Sequence, residues 1–356
     1  PMENLIAMTL INTGVKTSRC TLTRQQDRLL KRSQLSDNLR RSGRLKTTDS
    51  LPSHRHPGPD IYTAGVRSVK DSHHMQRFGS VELAVHRKGQ GVPLIWGHGL
   101  MGSMWVEDMA GLIDWDELAR HTELVRYDAR GHGRSTGSYH PRDYRWERMA
   151  EDMLAIAESV VAGQGADKYV LGGVSMGAAT ALAAAVQQPG RVHGLILALP
   201  PTAWDSRPRQ AAIYRRMAWL SGALGAAPYR LLDWLPKPVR NDGLSRLAMA
   251  TIKGLARADP RHVQAALRGA ALSDMPDRST LATLKMPTLI LAWEGDTAHP
   301  MATAEALADC MPNVRELKVI SREKPAAWSD PIVEFIDGLA ASRKRRKKAR
   351  TRRKPS

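Results

Sequence analysis

Little in this sequence can act as a covalent or metal-held staple. The 356 residues include only two cysteines, Cys20 and Cys310. They lie far apart in the chain, and Cys20 falls in an atypical N-terminal stretch. No disulfide framework is expected, and a reducing, cytoplasmic setting fits. No histidine or cysteine cluster has ligand spacing, so no metal is expected. No phosphate-cradling glycine loop of the Walker or dinucleotide type occurs, so no cofactor is expected. No apolar run reaches the ~18 residues of a membrane-spanning helix. The start lacks the apolar core of a secretory signal, and no repeat period is present. What remains is a chain long enough to bury a large core in one big domain or two smaller ones.

Charge is plentiful but uneven. The formal net charge is +18, of which residues 1–74 carry +7 and residues 343–356 carry +10 with no acid among them. Residues 75–342, with 30 Lys/Arg against 29 Asp/Glu, are near neutral. The high pI therefore belongs to the ends and says nothing about the fold. Residues 1–74 show little hydrophobic periodicity, and Ser50 to Asp60 reads as a linker. This stretch is expected to be a targeting peptide, a disordered extension, or sequence read from too early a start. Met75 is then the expected beginning of the folded unit. The run Arg343 to Lys354 is expected to be a disordered basic tail, because like charges repel and nothing is buried. Such a tail could touch nucleic acid or anionic lipid without specificity. It has no interleaved aromatics, so no specific nucleic-acid partner is expected.

Between these ends strands and helices alternate. Val81 to His86 has period-two alternation. Val92–Trp96, Leu124–Tyr127, Tyr169–Gly172, Val192–Ala198 and Thr288–Trp293 are short buried-type strands. Arg145 to Ala162 has Met149, Met153, Ile156, Val160 and Val161 at helical spacing. A helix over Ala302–Cys310, a strand near Glu316–Ile320 and a helix near Pro331–Ala340 complete the pattern. Strands spaced by helices predict an α/β fold with a mostly parallel sheet and flanking helices. Such a sheet carries its ligand at the carboxyl ends of its strands. From residue 202 to 284 the rhythm stops. That length is too great for a bare loop and is read as a helical cap over the strand ends. Trp204, Trp219 and Trp234 are expected to form mainly the cap's own core.

The stretch that organises the chain is Gly173-Val174-Ser175-Met176-Gly177. A strand runs into it and an Ala-rich helical segment leaves it. A serine in a sharp strand-to-helix turn has strained backbone angles, and glycines two residues away on either side relieve the crowding. The new helix aims its free N–H groups at any oxyanion formed there. This is the nucleophile-elbow pattern.

Three other loops join it: Gly97-His98-Gly99-Leu100-Met101-Gly102, Asp128-Ala129-Arg130-Gly131-His132-Gly133-Arg134-Ser135 and Glu294-Gly295-Asp296-Thr297-Ala298-His299-Pro300. In this order the set resembles the α/β-hydrolase fold superfamily over residues 78 to 340. The resemblance implies Ser175 as nucleophile, held by the Gly173 and Gly177 turn. It implies an oxyanion hole from the backbone N–H groups of Leu100 and Met176, with His98 and Gly99 supporting that loop. Asp296 would be the orienting acid, with Asp205 a second candidate and a plain turn carboxylate the bland alternative.

The departure is the base. A serine hydroxyl is a poor nucleophile until a neighbour takes its proton. Family members draw a histidine from the loop after the last strand. Here that loop reads Ile320-Ser321-Arg322-Glu323-Lys324-Pro325, and no histidine follows His299. Three readings stay open: His299 is a relocated base, the protein keeps the pocket only for binding, or Lys324, Glu323 or His98 acts. His299 could also merely cap the helix after it, and His132 is expected to be structural. The expected partner is a small-molecule, partly apolar ester, lactone or related substrate. The oligomeric state is left open.

Overall fold

The computed structural model describes residues 71–162, 167–234, 243–320 and 328–352. The strands are β1 (Asp71–Phe78), β2 (Val81–Gly89), β3 (Pro93–Gly97), β4 (Glu123–Tyr127), β5 (Tyr169–Val174), β6 (Val192–Ala198), β7 (Thr288–Ala292) and β8 (Val314–Val319). They form one sheet in the order β1-β2-β4-β3-β5-β6-β7-β8. β2 is antiparallel to both β1 and β4. All pairings from β4–β3 to β7–β8 are parallel.

Both faces of the central strands are covered. Their near-continuous apolar runs follow, since parallel strands have no solvent face. Successive residues go to opposite sides. Leu94, Trp96, Leu124, Val170, Ile196, Leu289 and Leu291 enter one core. Ile95, Val125, Leu171, Leu195, Leu197 and Ile290 enter the other. The second of these cores is closed by α3 (Trp146–Ala162) and α4 (Met176–Gln187). In α3 the side chains of Met149, Met153, Ile156, Val160 and Val161 are buried, as their spacing predicts. The first ten residues of α4 are all buried. Its run of alanines gives strong helix propensity and a thin profile that can lie close to the sheet. The opposite core is closed by α2 (Trp115–His121) and α11 (Ser329–Arg352), through Leu118, Ile332, Ile336 and Leu339. Ahead of α2, α1 (Met104–Ala110) starts on an N-cap at Ser103, whose hydroxyl accepts from the Val106 N–H at 3.2 Å.

The stretch between β6 and β7 is helical: α5 (Arg207–Leu224), α6 (Ala227–Trp234), α7 (Gly243–Arg257), α8 (Pro260–Ala271) and α9 (Arg278–Leu281). One buried arginine ties it down. Arg207 Nε donates to the Ser273 carbonyl at 2.7 Å, and its Nη2 donates to that of Ala270. The guanidinium lies 4.3 Å from the Trp146 ring centroid on α3. The insertion's own core is Tyr214, Ala218, Leu255, Val263, Leu267 and Ala270. It is not the tryptophans, contrary to the sequence expectation. Trp219 and Trp234 are 65% and 79% exposed. Trp204 is partly buried against the larger core, its Nε1–H donating to the Pro276 carbonyl at 3.1 Å. Ala218 of α5 and Ala270 of α8 stand in that core, while Trp219 of α5 faces outward.

Two expected boundaries are corrected. Met75 is the middle of β1, paired with Ala84, so the folded unit already includes Asp71. Backbone pairing to β2 extends it, although its residues bury little and gave no apolar pattern to read. At the other end, α11 runs to Arg352, through ten residues expected to be disordered. Lysine and arginine are good helix formers, and a helix already nucleated on Ile332, Ile336 and Leu339 gains a hydrogen bond with each added residue. The Lys324 and Glu323 candidates lie outside the described residues.

Candidate active site

β3 has β4 on one side and β5 on the other, so the chain reverses its direction of winding there. Crevices outside the carboxyl ends of strands at such a switch point hold ligands in open α/β sheets. The loop after β3 supplies Gly97 to Ser103, and the turn after β5 supplies Ser175.

Ser175 has φ 56° and ψ −112°, a left-handed backbone for a residue with a side chain. The turn is held by its N–H, which donates to the Ala198 carbonyl at 2.9 Å. The flanking glycines are required by space. A Cβ on Gly173 would stand 2.5 Å from the Gly97 carbonyl oxygen, and one on Gly177 would overlap the same peptide. Met176 is the first residue of α4, so its N–H has no intrahelical acceptor one turn earlier. Gly99 lies against the serine: a Cβ there would be 3.6 Å from Ser175 Cβ. The Gly102 N–H donates to the Gly99 carbonyl at 2.9 Å, closing a tight turn around Leu100 and Met101 with Met101 at φ 61°. The Leu100 side chain packs under the insertion, against its core.

His98, next to that turn, is sealed. It is 1% exposed, and both ring nitrogens are engaged. Nδ1 donates to the Gly99 carbonyl at 2.8 Å, and Nε2 accepts from the Ala129 N–H at 2.9 Å. Burial lowers it to about 4, so it stays neutral. With no lone pair to spare it cannot be the base. His132 is also buried and lowered to about 3, its Nδ1 facing the Arg130 carbonyl at 2.9 Å. Asp128 stitches the two loops together, accepting from the Met104 N–H at 2.8 Å and the Arg134 N–H at 2.9 Å. Below them Arg130 and Asp152 form a buried two-pronged pair at 2.6 Å per bond, which the sequence reading missed. Nothing in the spacing of those two residues signals the contact.

The fourth loop brings the remaining residues together. His299 Nε2 is 2.7 Å from Ser175 Oγ, and its Nδ1 is 2.9 Å from Asp296 Oδ2. The ionised carboxylate can only accept, so Nδ1 carries the proton and Nε2 is left to receive one from the hydroxyl. Asp296 serves two purposes. Its Oδ1 accepts from the Ala298 N–H at 2.9 Å and the His299 N–H at 3.3 Å, which is the turn-carboxylate role. Its Oδ2 meets the imidazole and also accepts from Trp293 Nε1–H at 2.9 Å. Burial alone would raise this carboxyl. Hydrogen bonding and charge from His299, with Trp293 and Ala298, outweigh burial and hold it well below the usual carboxylate range. Trp293 is itself locked edge-on to Trp328 at 5.5 Å. Its part was not foreseen, since an apolar strand end does not announce an indole N–H aimed at a carboxylate three residues on.

The histidine does not cap the next helix. Pro300 occupies the N-cap of α10 (Met301–Cys310), and the His299 side chain turns inward instead. Asp205 is exposed in a short turn (Trp204–Ser206), while the imidazole is engaged by Asp296.

The fold and this arrangement define an α/β enzyme with a serine at its central elbow. The model of the Alpha/beta hydrolase family matches residues 94–322. The chain belongs to the alpha/beta hydrolase family and is a hydrolase. It is 27% identical over 228 residues to the protein named "Putative carbamate hydrolase RutD" of Pseudomonas savastanoi pv. phaseolicola, covering 62% of this chain and 82% of that one. It is 26% identical over 212 residues to 3-oxoadipate enol-lactonase 1 of Acinetobacter baylyi, covering 57% and 70%. Among solved structures, a thermophilic esterase from Thermogutta terrifontis superposes with a TM-score of 0.56 at 25% identity, covering 78% of this chain and 98% of the esterase.

Proposed function

We propose that this hydrolase cleaves small to medium, partly apolar esters, lactones or related acyl compounds through a covalent acyl-enzyme on Ser175. The observation that carries the reading is the relay from Ser175 Oγ to His299 Nε2 at 2.7 Å and from His299 Nδ1 to Asp296 Oδ2 at 2.9 Å. As Oγ attacks the substrate carbonyl carbon, its proton passes to Nε2, and Asp296 stabilises the imidazolium that forms. The oxyanion is held by the N–H groups of Leu100 and Met176, donors already in place before charge develops. His299 returns the proton to the leaving alkoxide as the carbonyl reforms. A water then repeats the sequence on the acyl-enzyme and frees the acid. Residues 202–284 act as a cap that shapes the acyl pocket, with Leu100 at its boundary. The names of the relatives, which include a lactonase and an esterase, support this substrate class.

The protein is read as a cytoplasmic enzyme. Among the described residues no helix is long and apolar enough to cross a membrane. The basic residues 343–354 would meet polyanions only without sequence readout.

A fluorophosphonate probe is expected to label wild-type protein at Ser175 and to leave Ser175→Ala unlabelled. The same substitution should abolish turnover of p-nitrophenyl acetate and butyrate. Failure of the folded wild-type protein to react with the probe would overturn the covalent reading.

A further inference from the structure

We infer that the open end of the β1–β2 hairpin is a transition-metal site, with Asp71, His73 and His86 as ligands for a zinc-class divalent ion. Asp71 and His73 are two residues apart on β1 and therefore share a face. The register places His73 directly opposite His86 and Asp71 opposite Lys88. One ligand atom from each of Asp71, His73 and His86 lies within 4.8 Å of the other two. Asp71 Oδ1 and His86 Nε2 are hydrogen-bonded at 2.8 Å, and an ion entering between them has to open this pair by only about half an ångström to reach the spacing of two tetrahedral ligands.

The imidazoles stack with centroids 3.8 Å apart and planes 2° from parallel. Parallel rings cannot both aim a lone pair at one ion, so one ring must turn. His73 is exposed and its ring is the one that turns off the stack. His86 is held on its strand with a side chain 12% exposed, and it supplies the fixed ligand. Lys88 stands near Asp71, at 3.4 Å, but its shorter contact is to Asp116 at 2.7 Å. An ion would therefore compete at Asp71 mainly with the His86 hydrogen bond, the Lys88 contact being the longer one. Two imidazoles and one carboxylate favour zinc, nickel or copper over magnesium and calcium. A fourth position stays open for water.

The site also answers a weakness of the fold. β1 is an edge strand with no fully buried side chain. Its tight end is closed by the turn after Phe78, while Asp71 lies at the opposite end, paired with Lys88. An ion there would clip the edge strand at the point farthest from its turn. The sequence showed no such site because 12 residues separate the two histidines, and only the hairpin register makes them neighbours.

The test is zinc chloride titrated by calorimetry into chelator-treated full-length protein. One equivalent is expected to bind, with magnesium chloride giving no heat. The double variant His73→Ala/His86→Ala should lose at least about tenfold in affinity. His140→Ala, at an exposed histidine outside the cluster, should bind as wild type. Zinc should raise the melting temperature of the wild type and not of the double variant, because an ion bound only to the native state stabilises it. His73 is on the edge strand and His86 on the strand beside it, and circular dichroism of the metal-free double variant is expected to match wild type. If it does not, Asp71→Asn, with its expected loss of affinity, takes its place. Zinc affinity unchanged in these variants, or no binding to the wild type, overturns the assignment.

Discussion

Two turns at the carboxyl ends of parallel strands each carry a histidine beside Ser175, and the two could hardly differ more. After β3, His98 is sealed, neutral and bonded at both nitrogens to backbone groups. After β7, His299 has a side chain 17% exposed and spends its nitrogens on a carboxylate and a hydroxyl. The residue type is the same. What separates a scaffold histidine from a proton carrier is whether its second nitrogen faces a fixed backbone donor or a group that can lose a proton.

The strongest break of this contrast is His299→Ala. It should cut kcat for p-nitrophenyl acetate by about 10³-fold or more with little change in stability. Comparable rate losses from His98→Ala would erase the distinction. A second, somewhat smaller effect concerns Glu107 on α1, whose side chain is 12% exposed. Burial pushes its carboxyl up to about 7, against the pull of Arg126 at 3.2 Å and the Trp96 indole N–H. The folded protein therefore keeps a proton that the unfolded chain loses near 4.5. That stabilisation is complete below the unfolded value and drains away as pH rises to about 7. Urea unfolding at pH 5 and pH 8 should show wild type losing up to about 3 kcal/mol relative to Glu107→Gln over that interval.

Next comes His98→Ala itself. It strands the Ala129 N–H and should cost about 2 kcal/mol of stability, read from chemical unfolding. The smallest effect is expected from Trp293→Phe. It removes one of four donors to the Asp296 carboxylate and should lower kcat about threefold to tenfold while the Ser175 probe still reacts. A loss as large as that of His299→Ala would mean that the indole, and not the turn, positions the acid.

Much of the framework was legible because it rests on local signals. Buried parallel strands read as short apolar runs, and Gly173 and Gly177 announce a turn with no room for side chains. Ser175, Asp296 and the Leu100 loop could be located by their places after strand ends. The base could not be fixed, because the choice among His299, His98 and Lys324 depends on where ring nitrogens point in space. Asp296 and His299 are separated by two residues, a spacing as ordinary in a helix start as in a relay. Only the bonds from Ala298 and His299 N–H to Oδ1 show that the turn folds the imidazole back over its own acid. The exposed tryptophans and the length of α11 were misread for a related reason. Composition says what a segment can bury or repel, not which neighbour lets it do otherwise.

The four-residue span from Asp296 to His299 makes acid and imidazole a single rigid unit. Any hinge motion that carried this loop outward would withdraw both at once, leaving an idle alcohol and not a half-oriented relay. Such a hydrolase would be switched in one step.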